Sequence, residues 1–283
     1  MNKRILLSFL WVVIFSAAIT AQTKYNLTIG DSYLIESTMN QVISQMVMGS
    51  NQEIENTSTT TEKLEVTGFG GGEYTLTITN LKQLSKVKSP MGIQTIDSED
   101  ETTGEGLFAA LKNTTYSFTM DEYGKIIDII GLDELQEKVN ANLGNNSMLA
   151  NQVGALFNTE TIRNNLETRF TIYSPTGETS WTKNKEVTMN NLPFKIDTQF
   201  ELTGDNSVKM SGDLSVAGSV TQMGMVVDME MSGTQSGTYQ LMEKSGMPSS
   251  VVSSSNITGS AKTQGMTIPM TITAKNDVTF TKQ

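Results

Sequence analysis

Between Thr221 and Leu241 the chain reads TQMGMVVDMEMSGTQSGTYQL. Met223, Met225, Val227, Met229 and Met231 hold one parity, and Val226, Asp228, Glu230 and Ser232 hold the other. A period of two over this length predicts an extended strand with one apolar face. GMTIPMTIT repeats the device: Met266, Ile268, Met270 and Ile272 alternate with threonine and Pro269. Proline has no amide to donate, so this second run predicts an edge strand or a bulge. EYTLTIT at 73–79 alternates Tyr74, Leu76 and Ile78 against Glu73 and three threonines. Tyr33 to Met39 and Lys63 to Val66 alternate more weakly. Tyr116 to Met120 and Lys125 to Ile130 flank the turn DEYG, with Gly124 at its end.

One interval changes period. Leu132, Leu135, Val139 and Leu143 recur at helical spacing, as do Leu149, Val153 and Leu156, then Ile162 and Leu166. Asp133 is a candidate N-cap, and Gly144-Asn145-Asn146 and Asn158-Thr159 read as breaks between helices. Two or three amphipathic helices are expected, covering a sheet face or plugging its concave side. They divide a β-rich half at 22–130 from another at 171–283, with the helical insert at 131–170. The halves echo one another: Gly30-Asp31-Ser32-Tyr33 opens the first, Gly177-Glu178-Thr179-Ser180-Trp181 the second. Met-Gly pairs recur at Met48-Gly49, Met91-Gly92 and Met223-Gly224, reversed at Gly265-Met266. Duplication and chance likeness of hairpins both account for this. The expected fold is mainly β (α+β): an antiparallel curved sheet or half-barrel in two sequence halves, similar in outline to periplasmic lipoprotein carriers. Two β-sandwich domains are the alternative.

Composition sharpens the picture at the amino end. MNKRILLSFLWVVIFSAAITAQ has a short basic start, an apolar run and small residues, the pattern of a secretory signal peptide over 1–21. The apolar run is shorter than the ~20 residues of a membrane span, and no later segment approaches that length. Cysteine is absent, which rules out disulfides and the lipoprotein route that acylates a cysteine. A periplasmic or secreted protein is expected. Histidine is absent too. That removes Ser-His-Asp triads and zinc sites built on imidazole or thiolate. A formal net charge of −10 disfavours nucleic acid and anionic headgroups as partners.

Little catalytic chemistry remains. Thioethers on one strand face suit a soft ion such as copper(I), but such sites ordinarily recruit histidine or cysteine as well. A methionine-rich wall re-packs around varied hydrophobic ligands; the same side chains also serve as plain core. Met223, Met225, Val227, Met229, Met231, Met266, Ile268 and Met270 are therefore the candidate ligand-binding residues. No metal or cofactor is assigned. Asp97, Glu99, Asp100 and Glu101 are consecutive in a Thr/Gly-rich stretch, the signature of a solvated loop; they lack the EF-hand spacing for calcium. Trp181 and Tyr33 begin corresponding strands and read as core anchors or as stacking platforms.

Several segments in order carry a family resemblance: GDSY, QMVMG, SPMGIQTIDSED, YSFTMDEYGKI with the helical insert, the Trp181 strand, GTYQLMEKSGM and QGMTIPMTITAKNDVTF. With these the chain resembles an uncharacterised family of exported bacterial proteins, known only as a domain of unknown function. The resemblance implies export and a β-helix-β layout, and supplies no catalytic residues. The leading expectation is a non-enzymatic envelope protein that binds or carries a lipid or other hydrophobic small molecule. A structural or protein-interaction module of the envelope is the alternative, and a carboxylate-dependent hydrolase comes third.

Overall fold

The computed structural model describes residues 22–47, 49–100, 107–143, 157–189, 192–204, 206–222 and 225–283. The expected leader at 1–21 and the helical positions Leu149, Val153 and Leu156 lie outside the described residues. The first half supplies β1 (Ser32–Val47), β2 (Ser50–Gly70), β3 (Glu73–Ser89), β4 (Gly92–Asp97), β5 (Thr115–Asp121) and β6 (Ile126–Ile130). The second supplies β7 (Ser180–Met189), β8 (Leu192–Thr203), β9 (Ser207–Gln222), β10 (Met225–Leu241), β11 (Pro248–Thr263) and β12 (Met266–Lys282). All join one antiparallel sheet in the order β6-β5-β3-β2-β1-β12-β11-β10-β9-β8-β7, with β4 beside β3. One continuous sheet, not two sandwiches, is the outcome. The GDSY and GETSW openings begin β1 and β7, which take unlike places: β1 is central and β7 is an edge.

Neighbouring strands are hairpin partners except at two places: β3 pairs β5 across the segment that carries β4, and at the middle β1 pairs β12 from Tyr33↔Lys282 to Gln45↔Met270. The insert therefore leaves from one edge of the sheet and returns at the other. It carries α2 (Leu132–Leu143) and α3 (Thr159–Phe170); a short α1 (Leu107–Leu111), unforeseen in the sequence, precedes β5. Ten strand spacings separate β6 from β7, about 48 Å if the sheet were flat. Yet α3, a helix of 12 residues and so ~18 Å long, touches both edges. Its Arg163 Nη1 donates to the Ile126 carbonyl at 2.8 Å, and its Glu167 pairs Lys185 of β7 at 2.7 Å. In the same helix Arg169 meets Glu62 of β2 at 2.6 Å, and the Thr168 carbonyl accepts from Tyr239 of β10 at 3.1 Å. Only a sheet curled around α3 satisfies all four. The helices plug its concave side.

The main core forms where the helices meet the inner face. The alternation at 73–79 places Tyr74, Leu76 and Ile78 inward, beside Leu64, Val66, Phe118 and Met120. The helices answer with Leu132, Leu135 and Val139, then Ile162, Leu166 and Phe170. Asn158 caps α3, its Oδ1 accepting the Thr161 amide at 2.8 Å. Asp133 does not cap α2: that helix starts one residue earlier, at Leu132, where the Leu135 amide already reaches the Gly131 carbonyl. Asp133 instead places its charge in the first turn, where the helix dipole favours it.

Buried tyrosines fasten this end. Tyr25 Oη donates to the Phe170 carbonyl at 2.8 Å and Tyr173 Oη to the Gly246 carbonyl at 2.6 Å. Their rings meet edge to face at 5.0 Å. Burial drives the phenols of Tyr25, Tyr116 and Tyr173 upward from the usual range, and pushes Tyr239 up to about 12. A raised native value means the fold holds its protons longer than the unfolded chain does. This contribution is complete below pH ~10, the unfolded value, and disappears as pH rises through the native ones. Alkaline titration followed by tyrosinate absorbance should therefore find these four silent until about pH 12. They should then ionise together with loss of the β-sheet signal. Ionisation near pH 10 with the sheet intact would contradict the burial.

Pro269 corrects the edge-strand expectation. Its strand, β12, lies in the middle of the sheet, paired with β11 through Ser260↔Pro269. Pairing with β1 stops one residue earlier, at Met270. The missing amide thus falls where the ladder on that side has ended.

Candidate functional site

Cα partners across the sheet assign whole rungs to the inner face. Beyond the core, away from the helices, comes a polar rung: Asn56, Gln41, Ala274, Ser255, Gln235, Gly212, Thr198 and Lys183, on β2, β1 and β12 through to β7. Gln235 Nε2 donates to Thr198 Oγ1 at 2.7 Å across the intervening strand. Between them stands Gly212, where a Cβ would lie 2.0 Å from the Asp197 carbonyl oxygen of the neighbouring strand. The next rung outward is apolar. Ile54, Ile43, Ile272 and Ile257 stand abreast on β2, β1, β12 and β11, and beyond Gly233 the row resumes as Leu214 and Ile196. All six are half-buried. The sequence hinted at this only through Gln41-Val42-Ile43-Ser44-Gln45, where flanking glutamines hide the apolar parity.

The predicted methionine face belongs to the following rungs. Backbone from Met225 onward is extended as β10. Met231 is 4% exposed and packs with Leu192 and Val216, with Met229 and Met270 against them. Met231 and Met270 share a rung across Gly259, and Met229 and Ile268 share the next across Ala261. Small residues on β11 thus leave room for long ones on either side. Val227, Met229, Ile268 and Met270 are half-buried, while Met266, at the β12 tip, is exposed. Met225 opens β10 opposite Gln222. Met223 lies outside the described residues.

Charge collects on this face near α3. Glu167 meets Lys185 at 2.7 Å and Lys183 at 3.9 Å, so two cations share one carboxylate. Burial lowers the Lys183 ammonium against the opposing pull of Glu167. Arg169 and Glu62 pair mostly out of solvent; burial alone pulls the guanidinium down, and Glu62 and Tyr116 outweigh it, leaving it raised. Removing one member of such a pair strands the other charge, which typically costs about 3–5 kcal/mol. Glu62→Gln should thus unfold at clearly lower urea than the Lys63→Gln control, whose exposed pair with Glu65 contributes little. Equal urea midpoints for the two variants would contradict this.

Among the described residues the acid run is engaged in local pairing. Glu99 is an ion-pair partner of Lys82 and lies 3.9 Å from Lys112, and Asp97 accepts the Glu99 amide at 3.0 Å. Glu101 lies outside the described residues. Among the described residues no group of three acids offers a metal site. Trp181 stacks on Phe200 at 5.4 Å, and Tyr33 is fully buried, so both anchor packing. On the opposite, outer face a depression of about 760 Å³ is lined by Ser, Thr, Gln, Glu and Lys side chains of β7 to β12, Lys209, Ser236 and Lys275 among them.

Residues 71–248 match the model of a family described as of unknown function (DUF6263). No curated protein matches the chain. Among solved structures, one of lipovitellin, reported for its lipid–protein interactions, is similar over 91% of this chain at TM-score 0.52 and 10% identity. The chain spans only 26% of lipovitellin, so the likeness is one of fold over a quarter of that protein. An outer membrane channel from Pseudomonas putida F1 aligns with 91% of this chain and 97% of its own at 9% identity and TM-score 0.25. OccK11 (OpdR) of Pseudomonas aeruginosa aligns with 92% of this chain and 100% of its own, at 7% identity and TM-score 0.19.

Proposed function

The chain belongs to the DUF6263 family, and from that premise we propose that it is an exported, non-enzymatic envelope protein that holds a hydrophobic ligand, a lipid or acyl chain, against its inner face. The observation that carries this reading is the apolar rung from Ile54 to Ile196, which runs across seven strands and stays half-buried. A wall meant only as core would be covered as fully as Leu64 or Ile78. The polar rung inside it, ending at Lys183, gives the same face an amphipathic gradient. A headgroup would lie toward Gln41, Gln235 and Lys183, and a hydrocarbon tail over the isoleucines toward Met229 and Met270. Met231, already packed, serves the second core rather than a ligand. The fold shared with lipovitellin is compatible with this use and does not establish it.

Organic extraction of the protein purified from its native envelope, followed by mass spectrometry, tests the reading. A lipid near one per chain is the expected result. Protein that carries no extractable hydrophobic molecule and takes none up from a lipid mixture would end it. The outer depression favours a second reading, a surface that receives a polar partner. Crosslinking in intact cells would then trap one persistent protein partner through Lys209 or Lys275.

A further inference from the structure

Five hairpins turn at the end of the sheet far from the helices; their turns are uncharged, and charge resumes on the flanking rungs at Glu53, Lys88, Lys195, Asp228 and Lys262. Their tips read MVMGSNQ (46–52), SPMGIQTI (89–96), TMNNLPF (188–194), SVTQMGMVV (219–227) and TQGMTIPMTITA (263–274). The register fixes the common end: Val47↔Ser50, Ser89↔Gly92, Met189↔Leu192, Met225↔Gln222 and Thr263↔Met266 close five consecutive turns. Turns at the helix end differ in kind, since GGGE, DEYGK, TGDNS and MEKSGM each carry acidic residues. The far-end turns themselves are thus free of charge in a chain that is 18% charged overall.

Four of these tips expose apolar side chains; at the fifth, Leu192 is buried. Met91 is 98% exposed, Ile93 63% and Val226 58%, with Met46 and Met266 close to half. At the opposite end Phe69 is exposed but rests on the Tyr74 ring at 4.6 Å, and Ile29 lies two residues from Asp31. Exposed apolar groups on separate loops at one end do not cover one another. They need a surface that accepts several shallow insertions at once.

We propose that this methionine-bearing rim is a membrane-contact edge, which rests on the lipid bilayer with the tips buried in its interfacial layer. Flexible, uncharged thioethers suit an irregular apolar medium, and uncharged turns enter it shallowly while Lys88, on the rung of Ile93, stays at the headgroup level. The charge balance selects the mode. A chain of net charge −10 is repelled by anionic headgroups, so contact runs through apolar insertion and favours zwitterionic lipid. This surface is distinct from the inner-face wall, and its test is independent of whether that wall holds a ligand.

The purified protein should float with phosphatidylcholine vesicles and bind vesicles rich in phosphatidylglycerol more weakly at low salt. The triple variant Met46→Asp, Met91→Asp, Met266→Asp should lose flotation ten-fold or more, with an unchanged far-ultraviolet spectrum. Because the chain has no cysteine, Met91→Cys accepts a single environment-sensitive fluorophore. Its emission should shift to the blue on adding vesicles, while the same label at Lys244→Cys, in a helix-end turn, should not respond. Wild-type protein that stays at the bottom of the gradient would overturn the proposal, as would a triple variant that floats equally well. So would a vesicle-free dimer abolished by the same substitutions, since the rim would then join two copies of the chain.

Discussion

Gly124→Ala should lower the unfolding free energy by about 2–5 kcal/mol, a large loss for one methyl group. Two physical costs combine. Gly124 has φ +84°, where a side chain costs ~1–2 kcal/mol. Its added Cβ would also stand 1.9 Å from the Phe170 carbonyl oxygen and 2.8 Å from the Tyr25 ring, an overpacking worth about 1–3 kcal/mol more. That carbonyl is already the acceptor for Tyr25 Oη, and Thr171 Oγ1 donates to the Gly124 carbonyl at 2.8 Å. The turn between β5 and β6 is thereby welded to the end of α3. Gly71→Ala is the control, with φ +64° and nothing within 4 Å of the new methyl; only the backbone cost should appear. Urea melts of the two variants decide the matter. Equal losses would mean that the close approach to α3 contributes nothing.

The second large effect concerns ligand retention. Ile43→Asn combined with Ile272→Asn places two amides abreast at the centre of the apolar rung, where these residues are Cα partners. Both sites are half-buried, so the amides keep access to water and the sheet should survive. A hydrocarbon tail lying over them would lose apolar contact, and every 1.4 kcal/mol lost is ten-fold in affinity. The lipid recovered per chain should fall by about ten-fold or more. Val42→Asn, on the outer parity of the same strand, should leave it unchanged. Undiminished recovery from the double variant would remove the inner face as the binding wall.

Much of the fold was legible because its main signals are local. Tyr74, Leu76 and Ile78 alternate within one strand, and Leu132, Leu135 and Val139 repeat within one helix; each buries where its period says. Location within the sheet was not legible. Pro269 read as an edge signal, yet it lies in a central strand, because where pairing with β1 stops depends on a chain segment more than 200 residues away. The isoleucine rung escaped for the same reason. Ile43 meets Ile54 and Ile257 meets Ile272 within hairpins, but only the long-range register of β1 on β12 sets the two pairs side by side. The methionine run at 225–231 was plain as a pattern. That Met231 becomes core while Met229 stays half-buried depends on Leu192 and Val216, which no local window contains.

The pairing of β1 with β12 bears on how the protein folds. β1 meets β2 through a short hairpin and, until β12 arrives, presents an unpaired flank over most of its length. That flank is capped only by β12, more than 200 residues further along the chain. Such an edge recruits strands from other chains, and contacts this distant in sequence close slowly. A molecule in which β12 has not yet docked is consequently the most aggregation-prone, and removing β12 should leave both hemispheres of the sheet built but unjoined.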